Sequence, residues 1–479
     1  MGAAEDITKI MNTVSTLTIV SFLGFLSVFL LIGLSSFFKS RGTKQDYYLA
    51  DNTVRPWLVG LSAVATNNSG YMFIGVIGYT YVTGLASIWL MLGWILGDYL
   101  ASLYVHSRLR QATENSNEVS YAGVLSHWYG NKHNRLQRLI GLISLVFLLA
   151  YASAQLVAGG KALHVLFNWP TWLGAVIGAI MVAVYCVAGG IRASIWTDAA
   201  QSVVMIIAMT VLLLVAIYSI GGINSAISSM QSVDGFLAWT PKDLALPGLA
   251  GGVLFAASWL FAGFSVIGQP HIMVRFMALD NIGGMHKARL WYYIWFSAFY
   301  CITTGVGLLS RVFLPDIGNF DAELALPSMA LQLLHPLLVG LILAGIFAAT
   351  MSTADSLVLS CSAAFTHDLL PHKIESTALI KLVTISVTAC ALLLALTNKQ
   401  SVFSLVILAW SGLASAFAPL LLVLCLGRKP SQTASIIGCL VGLSCALAWR
   451  FMGWHSFVYE GFPAIVLGFI FIWVLSRRQ

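Results

Sequence analysis

The sequence predicts an all-α polytopic membrane protein, and three observations carry that prediction. Of 479 residues, 59% are hydrophobic and only 9% are charged, a balance that soluble globular domains do not reach. Apolar runs of about 20 residues, the length that crosses a bilayer, recur from one end of the chain to the other. The lysines and arginines sit in the short connections between these runs, mostly on one side. A net charge of +7 distributed in this way follows the positive-inside rule, so no nucleic-acid partner is expected.

A window of about 20 residues gives thirteen spans: 13–38, 56–80, 84–105, 139–167, 171–189, 198–220, 248–268, 290–313, 336–366, 378–397, 402–427, 432–452 and 459–476. The first is too long for the apolar core of a signal peptide and lacks a small-residue cleavage site, so it counts as a span. Placing the N-terminus outside and the C-terminus in the cytoplasm leaves only Lys9, Lys161, Lys242, Arg311, Lys399 and Arg450 of the 25 basic residues off the inner side. The outer connection 314–328 carries Asp316, Asp321 and Glu323 and no base. The longest polar stretch, 106–138, is an inner loop expected to hold a short interfacial helix. No appended soluble domain is expected, since the chain ends at Gln479, just past the last span. Cys186, Cys301, Cys361, Cys390, Cys425, Cys439 and Cys445 lie in apolar stretches or at their ends without metal or disulfide spacing. They read as small core residues.

Several spans carry polar groups that lipid would not tolerate. The second holds Thr66, Asn67, Asn68, Ser69 and Gly70 at its middle. Two Asn, a Ser and a Gly disfavour a continuous helix, and an unwound turn there would free carbonyl oxygens for a hard monovalent cation. Helix–helix hydrogen bonding by Asn and Ser is the other reading. The third span carries Asp98, expected near a helix end or beside a base. A Gly-Gly turn at Gly189–Arg192 precedes Trp196-Thr197-Asp198 at the start of the sixth span, where Thr197 or Asp198 would cap the helix or take part in ion passage. Pro270, within Gly268–Ala278, should break the helix and leave His271 and Arg275 near the inner surface. The ninth span places Thr350, Ser352, Thr353, Asp355 and Ser356 at mid-membrane. Bonding to their own helix would explain any one hydroxyl; four with a carboxylate point to an ion or solute path. Together with the second span they suggest one ion site shared by two helices.

No phosphate loop is present: Val157–Leu163 lacks the first Gly and the Ser/Thr. Hydrolase and kinase motifs and a potassium-filter sequence are also missing. No nucleophile–base set converges, so an enzyme is not expected. No cofactor is expected, and the energy for transport falls to an ion gradient.

These motifs, in this order, resemble the sodium/solute symporter family, most closely its sodium/proline symporters. The likeness rests on Ala65–Gly70, Ser194–Gln201, Gly268–Ala278, Gly345–Ser356 with Thr366–Leu369, and Leu408–Pro419. It covers about residue 40 to the C-terminus. The resemblance implies a single transporter domain of LeuT-type fold. Its two inverted five-helix repeats would occupy about 56–220 and 248–427, with extra helices at about 13–38, 432–452 and 459–476. By residue match it implies sodium ligands at Ala65, Asn68, Ala349, Ser352 and Thr353, and a role in ion coupling for Asp198. Sodium would be the coupling ion, and the partners a small organic solute and membrane lipid. The proline symporters carry Asp where this chain has Asn67. Of their pocket aromatics, one Trp position is Tyr71, a Tyr position is kept as Tyr151, and two ring positions are Ala262 and Val266. The loss of two rings should reshape the pocket, with Trp259 a candidate to compensate. Gln155, one turn beyond Tyr151, would hydrogen-bond a polar solute, and Ser69 completes the expected solute contacts.

The expected function is sodium-coupled symport of a small organic solute, an amino acid such as proline first, by alternating access. A sugar or carboxylate as solute, or a transporter-like sensor, are the alternatives.

Overall fold

The computed structural model describes residues 15–478, apart from Asn168, Lys242, Asp316, Ile317, Asn319, 371–373 and 398–400. Lys9, Lys242, Asp316 and Lys399, named above for their charge, lie outside the described residues. Helices account for the main elements: α1 (Thr16–Ser35), the short α2 (Lys44–Leu49), α3 (Pro56–Asn67), α4 (Ile77–Thr83), α5 (Ile88–Ser116), α6 (Tyr121–His127), α7 (Asn134–Phe167), α8 (Thr171–Ser219), α9 (Ile223–Gln231), α10 (Gly248–Phe264), α11 (Pro270–Met277), α12 (Met285–Phe313), α13 (Ala325–Leu333), α14 (Pro336–Ala363), α15 (Thr377–Thr397), α16 (Val402–Cys425), α17 (Gln432–Phe451) and α18 (Gly461–Leu475). Two short antiparallel strands, β1 (Arg428–Lys429) and β2 (Arg477–Arg478), tie the end of α16 to the end of α18.

Three interruptions shape the bundle, and local sequence explains each. α3 begins with Pro at its first turn and stops at Asn67, because Asn68 leaves helical geometry (φ −93°, ψ 68°). A π-helical turn, Tyr71–Val76, then leads into α4. α8 is broken at Gly189 and Gly190, the latter at φ 55°, ψ −138°. Tyr47 of α2 packs against Gly190 with backbone and ring where a side chain would stand. The third break separates α10 from α11 at Gln269-Pro270, since a proline cannot continue the ladder.

By length and composition, ten helical segments among the described residues suit a membrane crossing, against thirteen spans expected. The second expected span breaks at Asn68, and its later half runs on with the third. The fifth and sixth form one 49-residue helix, and α18, with 15 residues, falls short of the length required. At a rise of about 1.5 Å per residue α8 is far longer than one crossing, so its glycine break divides a long helix into two usable arms.

α14 and α16 are the central helices: 89% of the apolar window of each is buried, against 33% for α15 and α17 at the periphery. α14 packs on both arms of α8, on α7, α1 and α3, while α10 lies along α5. Apolar side chains such as Leu31, Leu214, Leu290 and Val474 cover the outer faces. Cys186, Cys361, Cys425 and Cys439 are buried as expected, but Cys301 and Cys390 are on the exposed surface. The 106–138 segment holds the short helix α6, whose residues are buried against the bundle.

Most described basic residues gather at one end of the bundle, near the break in α8; Lys161, Arg311 and Arg450 lie at the other. These are called the basic end and the far end below.

Candidate functional site

α3 and α14 meet where both carry polar groups. Ser352 donates to the carbonyl oxygen of Ala65 at 3.1 Å and lies 3.1 Å from that of Ala349, one turn back on its own helix. Thr353 donates to the carbonyl oxygen of Thr66 at 2.8 Å. α3 can offer these carbonyls because it ends here, so its last turn lacks intrahelical partners. Three carbonyl and two hydroxyl oxygens thus gather from residues with no solvent exposure, a donor set suited to a hard monovalent cation. The expected residues Ala65, Ala349, Ser352 and Thr353 come together. Asn68, expected to offer its backbone carbonyl, turns its side chain back to the Val64 carbonyl at 2.9 Å. The second α3 carbonyl bonded by α14 belongs to Thr66, which the sequence reading did not select.

A charged cluster adjoins this crossing. Asp198 Oδ2 accepts from Ser62 at 2.6 Å and lies 3.5 Å from the Arg275 guanidinium. Arg275 also donates to Ser194 at 2.6 Å and to Ser356. Ser194 in turn donates to Asp355 Oδ1 at 2.9 Å. Thr66 is within reach of Asp198, Ser356 and the Ser352 carbonyl at 3.2–3.4 Å, so the cluster touches the ion oxygens directly. Capping, one expected reading of Thr197-Asp198, is not what these residues do. Thr197 bonds back to Ala193 and Ser194 within its helix, and Asp198 faces α3 and α11. Nor are His271 and Arg275 near the surface: both are fully buried. A carboxylate at this depth needs a base, and that requirement was the signal pointing to Arg275.

Toward the far end, the break in α3 is closed by α7. Gln155 accepts the free N–H of Gly70 at 2.9 Å, and the hydroxyls of Ser69 and Tyr151 lie 3.2 Å apart. Asn67 donates to the Tyr292 hydroxyl at 2.6 Å. Tyr71 stacks on Phe403 at 5.3 Å and faces Trp94 at 5.8 Å. Trp410 donates its indole N–H to the Ala262 carbonyl at 3.0 Å and sits 6.5 Å from both Tyr151 and His271. Trp410 of α16 thus bonds the backbone of the position where the resemblance expects a ring. Trp259 packs on Tyr79 and Phe255 and lines a cavity of about 300 Å³ at the far end, with Arg450, Glu460 and the Phe403 that stacks on Tyr71. Val266 is buried in the short turn after α10. Several buried polar atoms in this region have no partner: Asn67 Oδ1, Tyr71 OH, Gln155 Nε2, Gln269 Oε1 and both ring nitrogens of His271. A polar solute would satisfy such groups.

Polar contacts close both ends. At the far end Lys161 pairs with Asp321 at 3.0 Å and Glu323 at 2.6 Å, and Glu323 accepts the first backbone N–H groups of α16 from Val402 and Phe403. At the basic end Asp368 accepts from Ser120 at 2.6 Å and Gln137 at 2.8 Å, and Tyr48 bonds Ser362 and Thr366. The space between them and Arg275 is about 30 Å³.

The sequence profile of the sodium:solute symporter family matches residues 47–442. The high-affinity proline transporter PutP of Bacillus subtilis (strain 168) is 30% identical over 461 residues, covering 94% of this chain and 96% of its own. The sodium/proline symporter of Staphylococcus aureus (strain JH9) is 29% identical over 474 residues, covering 94% and 90%. In structure, a substrate-bound, outward-open Na+-coupled sialic acid symporter superposes with a TM-score of 0.82 at 18% identity, covering 98% of this chain and all of that one. Mhp1, a nucleobase-cation-symport-1 family transporter in a closed conformation, gives 0.53 at 14% identity, covering 90% and 92%. The fold is thus of the LeuT type, and its relatives are transporters rather than enzymes. From residue 47 to 442 the match is continuous, and the chain belongs to the sodium:solute symporter family, whose members couple the movement of a solute to that of sodium.

Proposed function

We propose that the solute is proline or an amino acid of similar size. The sodium ion would take the Ala65, Thr66 and Ala349 carbonyls with the Ser352 and Thr353 hydroxyls, and the solute the region around Asn67, Ser69, Tyr71, Tyr151 and Gln155. The observation that carries the ion assignment is that α14 hydroxyls lie on the carbonyls freed where α3 ends. Those hydroxyls now bond the carbonyls directly. With sodium present they would turn their lone pairs to the ion, which would then hold α3 and α14 together across the two repeats. Because the solute groups sit on the residues just past the same break, ordering it for one ligand favours the other. Linkage requires that sodium and solute raise each other's affinity by the same factor. Asp198, reached through Thr66, carries the change of charge at the ion site to Arg275 and Asp355.

The basic end is assigned to the cytoplasm by the positive-inside rule, which puts the Asp321–Glu323 contacts outside. Proline rests on the two relatives whose names carry it and on a buried region that pairs aromatic faces with unpartnered polar atoms. The test is uptake of labelled proline into proteoliposomes with and without an inward sodium gradient. Saturable, sodium-dependent uptake is expected. No proline uptake, with sodium still stabilising the purified protein against heat, would replace proline by another amino acid, a sugar or a carboxylate.

A further inference from the structure

Asp98 stands apart from the groups used so far. It lies within α5, not at its end, and its exposure is zero. Among the described residues it forms no ion pair; Oδ2 accepts the Tyr292 hydroxyl at 2.7 Å, and Oδ1 has no hydrogen-bond partner. The expected neighbouring base is therefore absent among these residues. A carboxylate held this way at membrane depth is costly unless it acts on something.

The Tyr293 hydroxyl also lies beside the carboxylate, and the close bond to Tyr292 leads to the break in α3. Tyr292 accepts from Asn67 Nδ2 at 2.6 Å, so Asp98, Tyr292 and Asn67 form a chain from α5 through α12 to the last residue of α3. An ionised carboxylate only accepts, and a tyrosine hydroxyl has one proton to give. Once that proton goes to Asp98, Tyr292 can only accept from Asn67, and the Asn67 amide must present its nitrogen. Its oxygen, Oδ1, is then left buried without a partner, as observed. An ionised Asp98 on α5 would thus fix which way an amide points two hydrogen bonds away.

We propose that Asp98 is a positioning residue that, through Tyr292, holds Asn67 Oδ1 free as an acceptor for a positively charged ligand group. Two sources share that chemistry: a sodium ion, or the ammonium of an amino-acid solute. This inference rests on the sodium-coupled amino-acid reading above. Asp98→Asn keeps size and shape but adds a donor. Where the wild-type carboxylate only accepts, the new amide can give an N–H to Tyr292, which lets Tyr292 give its proton to Asn67 Oδ1 and removes the free oxygen. Adding Asn67→Asp to this variant restores one, because a carboxylate has a second oxygen whichever way Tyr292 points.

The experiment compares wild type, Asp98→Asn, the Asp98→Asn/Asn67→Asp double variant and Ser352→Ala, purified and in proteoliposomes. Sodium-induced thermal stabilisation without solute reads the ion; proline binding at saturating sodium reads the ammonium. Asp98→Asn should weaken one of the two by about tenfold or more, as expected for loss of a hydrogen bond to a charged group. The double variant should recover most of that loss. A change in the first readout assigns Oδ1 to sodium, a change confined to the second assigns it to the solute, and either supports the proposal. Asp98→Asn that folds and matches wild type in both readouts overturns it, as does a folded double variant no better than the single one. If Asp98→Asn does not fold, Tyr292→Phe carries the same test: it cuts the chain and should weaken the same readout, and no change would overturn the proposal. Wild type that responds to neither sodium nor proline, with Ser352→Ala indistinguishable from it, overturns the underlying reading as well.

Discussion

The hydroxyl of Thr353 donates to the carbonyl oxygen of Thr66 at 2.8 Å, joining helices that stand 287 residues apart in the chain. Ser352 repeats the contact one residue earlier, on Ala65. Neither hydroxyl is needed to build α14, whose backbone ladder is continuous through this point. The hydroxyls are therefore free to serve a ligand.

Ser352→Ala and Thr353→Ala should each raise the half-saturating sodium concentration about tenfold or more, on the scale of a hydrogen bond to a charged group. Folding should survive, because alanine suits a buried helix. Sodium titration of uptake measures this; unchanged sodium dependence in both variants would remove α14 from the ion site.

Arg275 and Asp198 are both fully buried, so removing one strands the other. Arg275→Gln should destabilise the protein by ~3–5 kcal/mol, seen as a lower unfolding temperature in detergent. Asp198→Asn should cost less, since Asp355 still faces the guanidinium through Ser194. The double variant should be more stable than the sum of the two losses predicts, because the sites share partners. Simple additivity would show that the two charges do not act as a unit.

Gly190 adopts φ 55°, ψ −138°, and Tyr47 fills the space beside it. Gly190→Ala therefore combines backbone strain with a steric clash and should cost at least ~1–3 kcal/mol. Thermal unfolding checks it, and a variant as stable as wild type would mean that the α8 break tolerates a side chain.

Glu323 has two duties at the far end, pairing with Lys161 and capping α16. Glu323→Ala should speed hydrogen exchange in the first turn of α16, as expected when a cap is lost. Lys161→Ala should leave that turn protected, because the carboxylate remains. Equal exchange in the two variants would separate Glu323 from the start of α16.

Composition and the polar clusters made the fold class, the break at Asn68 and the stop at Pro270 legible, because each follows from local propensity. The number of crossings was less legible, since hydropathy cannot distinguish two spans from one long helix that glycines interrupt. Ser352 and Thr353 were readable because hydroxyls in lipid need a purpose, whereas Ala65 and Ala349 came only from the family resemblance, since each offers a backbone atom that any residue could supply. Thr66, whose contribution is likewise a backbone carbonyl, was not among the residues that the resemblance matched to sodium. The burial of Arg275 was missed because an arginine just past a proline reads as a loop residue; only its two carboxylate neighbours, from α8 and α14, explain its depth. Trp259 and Trp410 show the same limit. Two tryptophans in apolar helices look alike in sequence, and only packing places one in the outer cavity and the other over Ala262.

The small space between Asp368, Ser120, Tyr48 and Arg275 has a further consequence. The cavity is small, about 30 Å³, room for about two or three water molecules at roughly 10–15 Å³ each. The hydrogen bonds of Asp368 with Ser120 and Gln137, and of Tyr48 with Ser362 and Thr366, are the contacts that an ion leaving Ser352 along α14 toward the basic end would have to part. Each charge that slipped through alone would waste about 2.3 kcal/mol per 100 mV of membrane potential. The seal therefore acts as insulation: it keeps the gradient from short-circuiting until a solute is there to travel with the ion.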